Sequence, residues 1–420
     1  MRIKILGGLI VIGCFWTAVA DGMREKGHVG SCPVLPADNI WNAPVNALPL
    51  DAHSAAYVSA IGSADVVHAD FGSGTWNGGP IGIPFITVSA SQPLVAIHYT
   101  AYGDESDPGP FPIPLNAPVE GGNDSAGDRH VLVVDRDNCL LFELYRAFRR
   151  PDGSWNADSG AKYDLRSNVL RPAGWTSADA AGLPIFPGLV RYAEVAAGEI
   201  KHAIRFTAPR TRRAYVWPAR HFASSSNDPS LPPMGQRFRL KSGIDISGYS
   251  PTVQVILKAM KKYGIVLADN GSPWYISGVP DERWDNDMLH ELDDIRGADF
   301  VAVDCSSLMI DPDSGQARGP ITLAVTSPDG KEQWPRLGHR AITWTNGNLT
   351  GTVKILLYQY GSKIGVIAQG ISATAGSMTW TVGKYIGGTA PAGSGYKVRI
   401  QSQLYPDKFD YSNSPFVILQ

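Results

Sequence analysis

The segment Gly127-Asp128-Arg129-His130-Val131-Leu132-Val133-Val134-Asp135, followed by Asn138-Cys139-Leu140-Leu141-Phe142-Glu143-Leu144-Tyr145, gathers side chains suited to acid–base chemistry. Two carboxylates can hydrolyse a glycosidic bond, one protonating the leaving oxygen while the other acts as nucleophile or base. Glu143 and Asp128 are the first candidates. Asp269 could enter from a neighbouring strand end, and Glu105 or Asp107 could reach over from a proline-rich loop. His130 would orient or tune one carboxylate. With Tyr145 it could instead serve as base in a lyase acting beside a uronate.

These groups need a scaffold, and the sequence supplies a hairpin. Two β-rich runs flank Asp137-Asn138, a turn pair whose short polar side chains tolerate left-handed backbone. A two-residue turn there sets Arg136 opposite Cys139, Leu132 opposite Glu143 and His130 opposite Tyr145. Alternation then puts Asp128, His130, Glu143 and Tyr145 on one face, expected to be open to water. Val131, Val133, Leu140, Phe142 and Leu144 form the buried face. Each group also has an ordinary reading. Asp128 could accept backbone hydrogen bonds at a strand start, and Glu143 could pair with Arg129 or Arg146 at the surface. His202 reads as a satisfied core histidine, and Asp269-Asn270-Gly271 as a turn. His221 is either a loop packing residue or part of a site.

At 420 residues the chain suggests two domains. A net charge of −2, with 18% charged residues and no basic block, argues against a nucleic-acid partner. Gly 45, Pro 31, Trp 11 and Tyr 16 indicate a turn-rich β protein with aromatic surfaces. Arg2 and Lys4 precede an apolar run from Ile5 to Val19, and Ala18-Val19-Ala20 fits a signal-peptidase site. Residues 1–20 are therefore read as a signal peptide; lipoprotein processing at Cys14 is the alternative. No other stretch is long and apolar enough to cross a bilayer. The expected location is secreted, or associated with the cell envelope. Cys32, Cys139 and Cys305 then remain, so at most one internal disulfide can form, with Cys32–Cys139 favoured. Cys305 reads as a small buried residue. No spacing matches a zinc site; Asp104, Glu105 and Asp107 could at most form a structural Ca²⁺ loop.

The fold class expected is mainly β: a large sandwich or jelly-roll-like domain with one or two helices, over 21–311. A linker at 312–318 and an immunoglobulin-like sandwich at 319–420 follow. One helix is well marked, with Ser250 as cap, Pro251 in the first turn and Gly264 closing it. Its inward stripe is Val253, Ile256, Leu257 and Met260. A shorter polar helix is expected from Asp287 to Arg296. Residues 71–85 read as a long loop around Trp76, and 214–217 as a strand. Asp311 to Gln316 has linker composition. Beyond it, short β runs at 321–325, 341–345, 353–358, 378–382, 396–401 and 415–419 keep the rhythm of a small sandwich.

Those last runs include Ile321-Thr322-Leu323-Ala324-Val325-Thr326-Ser327-Pro328-Asp329-Gly330, Ala341-Ile342-Thr343-Trp344-Thr345 and Tyr396-Lys397-Val398-Arg399-Ile400. With Val353-Lys354-Ile355-Leu356-Leu357-Tyr358, they resemble the Kre9/Knh1-type immunoglobulin-like domain. The resemblance implies a fold and an extracellular, glycan-rich setting, and no catalytic residues. Residues 33–310 resemble an exported bacterial and fungal family of unsettled activity. That likeness rests on Asp128 to Asp135, Ala181 to Arg191, Ile200 to Phe206 and Lys262 to Gly271.

Export, aromatics and clustered acids together suggest a polysaccharide partner handled by a monomer. Trp76 and Trp274 would be stacking platforms, and Arg191 would bind an anionic or hydroxyl-rich group. Tyr145, His221 and Asp107 would make further substrate contacts. The leading expectation is hydrolysis by two carboxylates. Its rivals are a glycan-binding or adhesion protein without turnover, and a polysaccharide lyase. The lack of a Gly-x-Ser-x-Gly elbow weighs against a serine esterase.

Overall fold

The computed structural model describes residues 28–319 and 321–420, so the export signal expected at 1–20 lies outside the described residues. The chain divides into two compact units between Ala317 and Arg318.

The hairpin expected from sequence is the centre of the first unit. Val131–Asp135 and Leu140–Tyr145 pair with Leu132 opposite Glu143 and Val131 opposite Leu144, the register that alternation required. The turn is longer than two residues. Asp135 and Leu140 are the last pair, and Asp135 accepts hydrogen bonds from the Asp137 and Asn138 amides. The left-handed residue is Cys139 (φ 56°), not Asp137 or Asn138. Ser159–Asp164 and Phe85–Val88 extend the pair to four strands, the latter running parallel.

Neither face of this sheet is a wet wall. Val131, Val133, Phe142 and Leu144 pack into one core with Phe111 and Trp155. Leu132, Val134 and Leu141, on the Glu143 face, enter the main core. A second, six-stranded sheet supplies the other side of that core through Ile204, Phe206, Phe238 and Leu267. Its order is Phe300–Val303, Arg237–Leu240, Ile265–Asn270, Ile204–Ala208, Tyr275–Ser277 and His68–Asp70. Both sheets are mixed, with parallel pairs between 204–208 and 265–270 and between 275–277 and 68–70.

The helix Pro251–Lys262 returns the chain to the parallel strand Ile265–Asn270. Ser250 Oγ accepts from the Val253 amide, and the expected stripe is fully buried. Gly264 closes it at φ +73°, and a Cβ there would lie 2.2 Å from the Phe238 carbonyl oxygen. Any other residue would separate helix from sheet. The polar helix becomes a short α-turn, Asn286–Leu289, running into the 3₁₀ segment His290–Asp294. The Cys32–Cys139 disulfide is present, with Cα atoms 5.3 Å apart. Among the described residues Cys305 is the free thiol; it is half-buried rather than fully buried, and desolvation pushes it up to about 11.

Three expectations need correction. Residues 312–316 are not a linker. Asn39 bridges Gln316, Arg220 binds Asp313, and Trp217 Nε1 donates to the Ser314 carbonyl, so specific polar partners tie this stretch to the first unit. Residues 214–217 form a single bridge, Tyr215 to Met234, in place of a strand. Within 71–85, Thr75–Trp76 and Gly79–Pro80 make a small hairpin.

The second unit carries the six expected strands in two sheets around Trp334, Trp344, Trp380, Tyr396 and Phe416. Its longest strand, Ser362–Ser372, pairs with Thr352–Gln359 through three register shifts. Among the described residues no helix is long and apolar enough to cross a membrane.

Candidate active site

A row of polar residues crosses the six-stranded sheet near one edge. Arg205 Nη1 donates to Ser277 Oγ on the next strand at 2.6 Å, and Ser277 is registered against Asp70 on the edge strand. On the other side, pairing shifts between Phe206 and Thr207, which brings Thr207 opposite Asp269. Such a bulge re-aims a side chain, and Asp269 Oδ2 comes within 3.6 Å of Arg205 Nη2. Arg205 is buried and clamps Asp179 with two bonds, Nε–Oδ2 2.7 Å and Nη2–Oδ1 2.8 Å. Burial pushes the Asp269 carboxyl up to about 8, and Asp179 adds to this as hydrogen-bond acceptor and negative neighbour; Arg205 opposes it.

The loop leading into the hairpin contributes a second carboxylate, Glu120. Glu120 follows the buried Val119, and its amide donates to the His130 carbonyl. Its carboxylate accepts from the His130 amide (3.3 Å) and lies 2.6 Å from His130 Nδ1. His130 Nε2 is 2.9 Å from the Ala178 carbonyl oxygen. Both ring nitrogens thus face acceptors, an arrangement that only the imidazolium satisfies. Burial alone would lower this imidazole, but the charge and hydrogen bond of Glu120 outweigh it and push it up to about 9. For Glu120, burial acts to raise the carboxyl, and His130 reverses the outcome so that it sits below its ordinary range.

Asp70 and Glu120 line one cleft of about 660 Å³ with His68, Trp76, Tyr275, Asn286 and His290. Asp70, exposed at the end of its strand, moves the other way from Glu120: desolvation and then the Glu120 charge raise its carboxyl, against the smaller effects of His68 and Arg205. Two carboxylates in one cleft are thereby pushed apart, one toward holding a proton and one toward ionisation. An acid and base pair requires such a divergence. The aromatic wall is specific. Trp76 is 73% exposed. Its hairpin rests on the 121 backbone, since a Cβ on Gly79 would fall 2.0 Å from the Gly121 carbonyl carbon. His68 packs on Tyr275 at 4.4 Å between ring centroids. Asn286 accepts from the Ser73 amide and fixes the loop leading to Trp76.

Of the residues singled out from sequence, His130 and Glu143 share a face as expected, and both are sealed. Glu143 is fully buried, and its carboxylate accepts from the Ile185 and Phe186 amides. Burial nevertheless pushes it up to about 7. It cannot reach a polymer. Tyr145 packs beside His130 at 5.7 Å, and burial, then Asp128 and Asp269, push its phenol up to about 12. Asp128 leaves the strand's alternation because Arg129 is left-handed (φ 53°); it is exposed and acts on His130, Asp70 and Tyr145 through its charge.

Four other positions differ from expectation. Trp274 is no platform: it is fully buried, stacked between Phe206 and Phe300. Arg191 is also buried, binding the Phe186 carbonyl, Glu194 and His202. His202 is the satisfied core histidine, with Nδ1 facing the Ala203 carbonyl oxygen. His221 Nδ1 faces the Ala180 carbonyl oxygen, and its ring stacks on Phe222, apart from the residues lining the cleft. Asp107 pairs with Arg171 and accepts from the Lys162 amide, while Glu105 accepts from the Thr176 amide. The acids of that loop therefore bind protein partners. Among the described residues no group of three or more His, Cys, Asp or Glu is arranged to hold a metal.

Asp70, Glu120, Asp179 and Arg205 are not among the residues to which the sequence points. The signals were faint: a three-residue strand, His68–Asp70, and an acid before Gly121-Gly122. Arg205 is a charge inside the apolar strand Ile204–Ala208, and its need for a buried counter-charge was legible.

A family model described as the Kre9/KNH-like N-terminal Ig-like domain matches residues 327–416. No curated protein and no solved structure matches the chain.

Proposed function

We propose that this chain hydrolyses glycosidic bonds in a polysaccharide, with Asp70 as general acid and Glu120 as the ionised carboxylate. The observation that carries this reading is the opposed behaviour of the two acids in a single cleft beside an exposed tryptophan. Asp70 protonates the leaving glycosidic oxygen. Glu120, kept charged by the imidazolium behind it, attacks the anomeric carbon or activates water. His130 is a positioning residue, with both nitrogens bonded within the protein. It leaves no basic nitrogen toward the cleft, which weighs against a lyase using it as base. Trp76 and Tyr275 offer faces to pyranose rings, and Asn286 and His290 offer groups for hydroxyls. The Cys32–Cys139 disulfide and the wall-type C-terminal module support an exported setting.

Reducing-end release on a panel of plant, fungal and bacterial glycans tests the reading. The wild type should release product from at least one polymer, and Asp70→Asn and Glu120→Gln should each abolish release while binding persists. Binding of a glycan with no release by the wild type would identify a binding protein. Undiminished release by both variants would remove the cleft from the reaction.

A further inference from the structure

The edge of the six-stranded sheet opposite Asp70 holds a cavity of about 570 Å³ formed around the strands Arg237–Leu240 and Phe300–Val303. Four cations line it, Arg239, Lys241, Lys261 and Lys262, and among the described residues no carboxylate does. Arg239, Lys241 and Lys261 bond to backbone carbonyls, which orient them without neutralising them. Arg239 Nη1 donates to the Val45 and Leu48 carbonyls at 2.7 Å each. Lys241 Nζ donates to the Ala298 carbonyl at 2.6 Å, and Lys261 Nζ to the Ser242 carbonyl at 3.1 Å. Among the described residues only Lys262 of the four has a carboxylate within ion-pair distance, Glu199 at 3.9 Å. The helix C-terminus accounts for Lys261 and Lys262, which complement its negative end. It does not account for Arg239 and Lys241, which lie on or just beyond a strand. A cavity lined by four cations, only one of them in an ion pair, in a chain of net charge −2 is built to attract an anion.

We propose that this cavity is an oxyanion site that takes a carboxylate, sulfate or phosphate group. The proposal is independent of the carboxylate cleft and survives if that cleft proves inert. The test is equilibrium binding of three probes to the full chain at low salt: polygalacturonate, sodium sulfate and inorganic phosphate. Wild type is compared with Lys241→Gln/Lys262→Gln, whose unchanged thermal midpoint certifies the fold. At least one probe should bind, weaken with added NaCl, and bind about tenfold more weakly to the variant, the loss expected for two charges acting across about 5 Å of water. Which probe binds identifies the carrier of the anion. Binding of none, or equal binding by both proteins, overturns the proposal.

Discussion

Glu120→Gln separates the role of the Glu120–His130 pair from ordinary packing, because its effect must depend on pH in one direction. His130 is 1% exposed and lies 2.6 Å from the carboxylate. Its rise from 6.5 to about 9 corresponds to about 3 kcal/mol of stabilisation. The folded value exceeds the unfolded one. The contribution is therefore complete below pH 6.5 and disappears as pH rises through 9. Glu120, held below its ordinary range, adds the complementary limb: its share exists above the unfolded carboxylate value and disappears as acid protonates it. The pair should thus stabilise most between about pH 5 and pH 6.5. In Glu120→Gln the amide oxygen can still accept from Nδ1, but the neutral ring then turns a lone pair toward the Ala178 carbonyl. Urea unfolding of the full chain, following the first unit's transition, should show Glu120→Gln weaker by about 3 kcal/mol at pH 6 and nearly equal to wild type at pH 10. An equal deficit at both pH values, or a His130 ring titrating near its ordinary value by NMR, would refute the buried imidazolium.

Glu143→Gln should behave in the opposite sense. The folded carboxyl lies at about 7 against 4.5 unfolded, so wild-type stability declines as pH rises through that interval. The variant keeps the bonds from Ile185 and Phe186 and should match or exceed wild type in thermal midpoint at pH 8, with turnover retained. Trp76→Ala should leave stability within about 0.5 kcal/mol and weaken polymer binding measured by affinity electrophoresis. Trp274→Ala should cost about 3–5 kcal/mol because it empties the stack with Phe206 and Phe300. Reducing the Cys32–Cys139 bond, which closes a span of 107 residues, should lower unfolding stability by about 4 kcal/mol in denaturant.

Local chemistry made the helix, the hairpin register, the disulfide and the C-terminal sandwich legible. Ser250, Pro251 and Gly264 each act within their own turn, and the alternation from His130 to Tyr145 needs only two adjacent strands. What alternation cannot tell is which face meets water. The hairpin became a middle layer because a second sheet, assembled from segments more than 200 residues apart, covers the Glu143 face. The same distance hid the cleft. Asp70 and Glu120 come from unrelated short segments, and their opposed acidities follow from His130 and the surrounding protein. Trp76 and Trp274 were equal candidates by type; only tertiary packing exposes one and stacks the other. The Ser362–Ser372 strand escaped notice because its shifted pairing and its glycines break the period of two.

The most direct test of the central claim compares Asp70→Asn with wild type on two substrates of the same sugar, the natural polymer and its dinitrophenyl glycoside. An activated leaving group needs no proton, so general acid catalysis by Asp70 predicts a loss of about 10²–10⁴ in rate on the polymer and little loss on the activated glycoside. Equal losses on both substrates, or none on either, would contradict it.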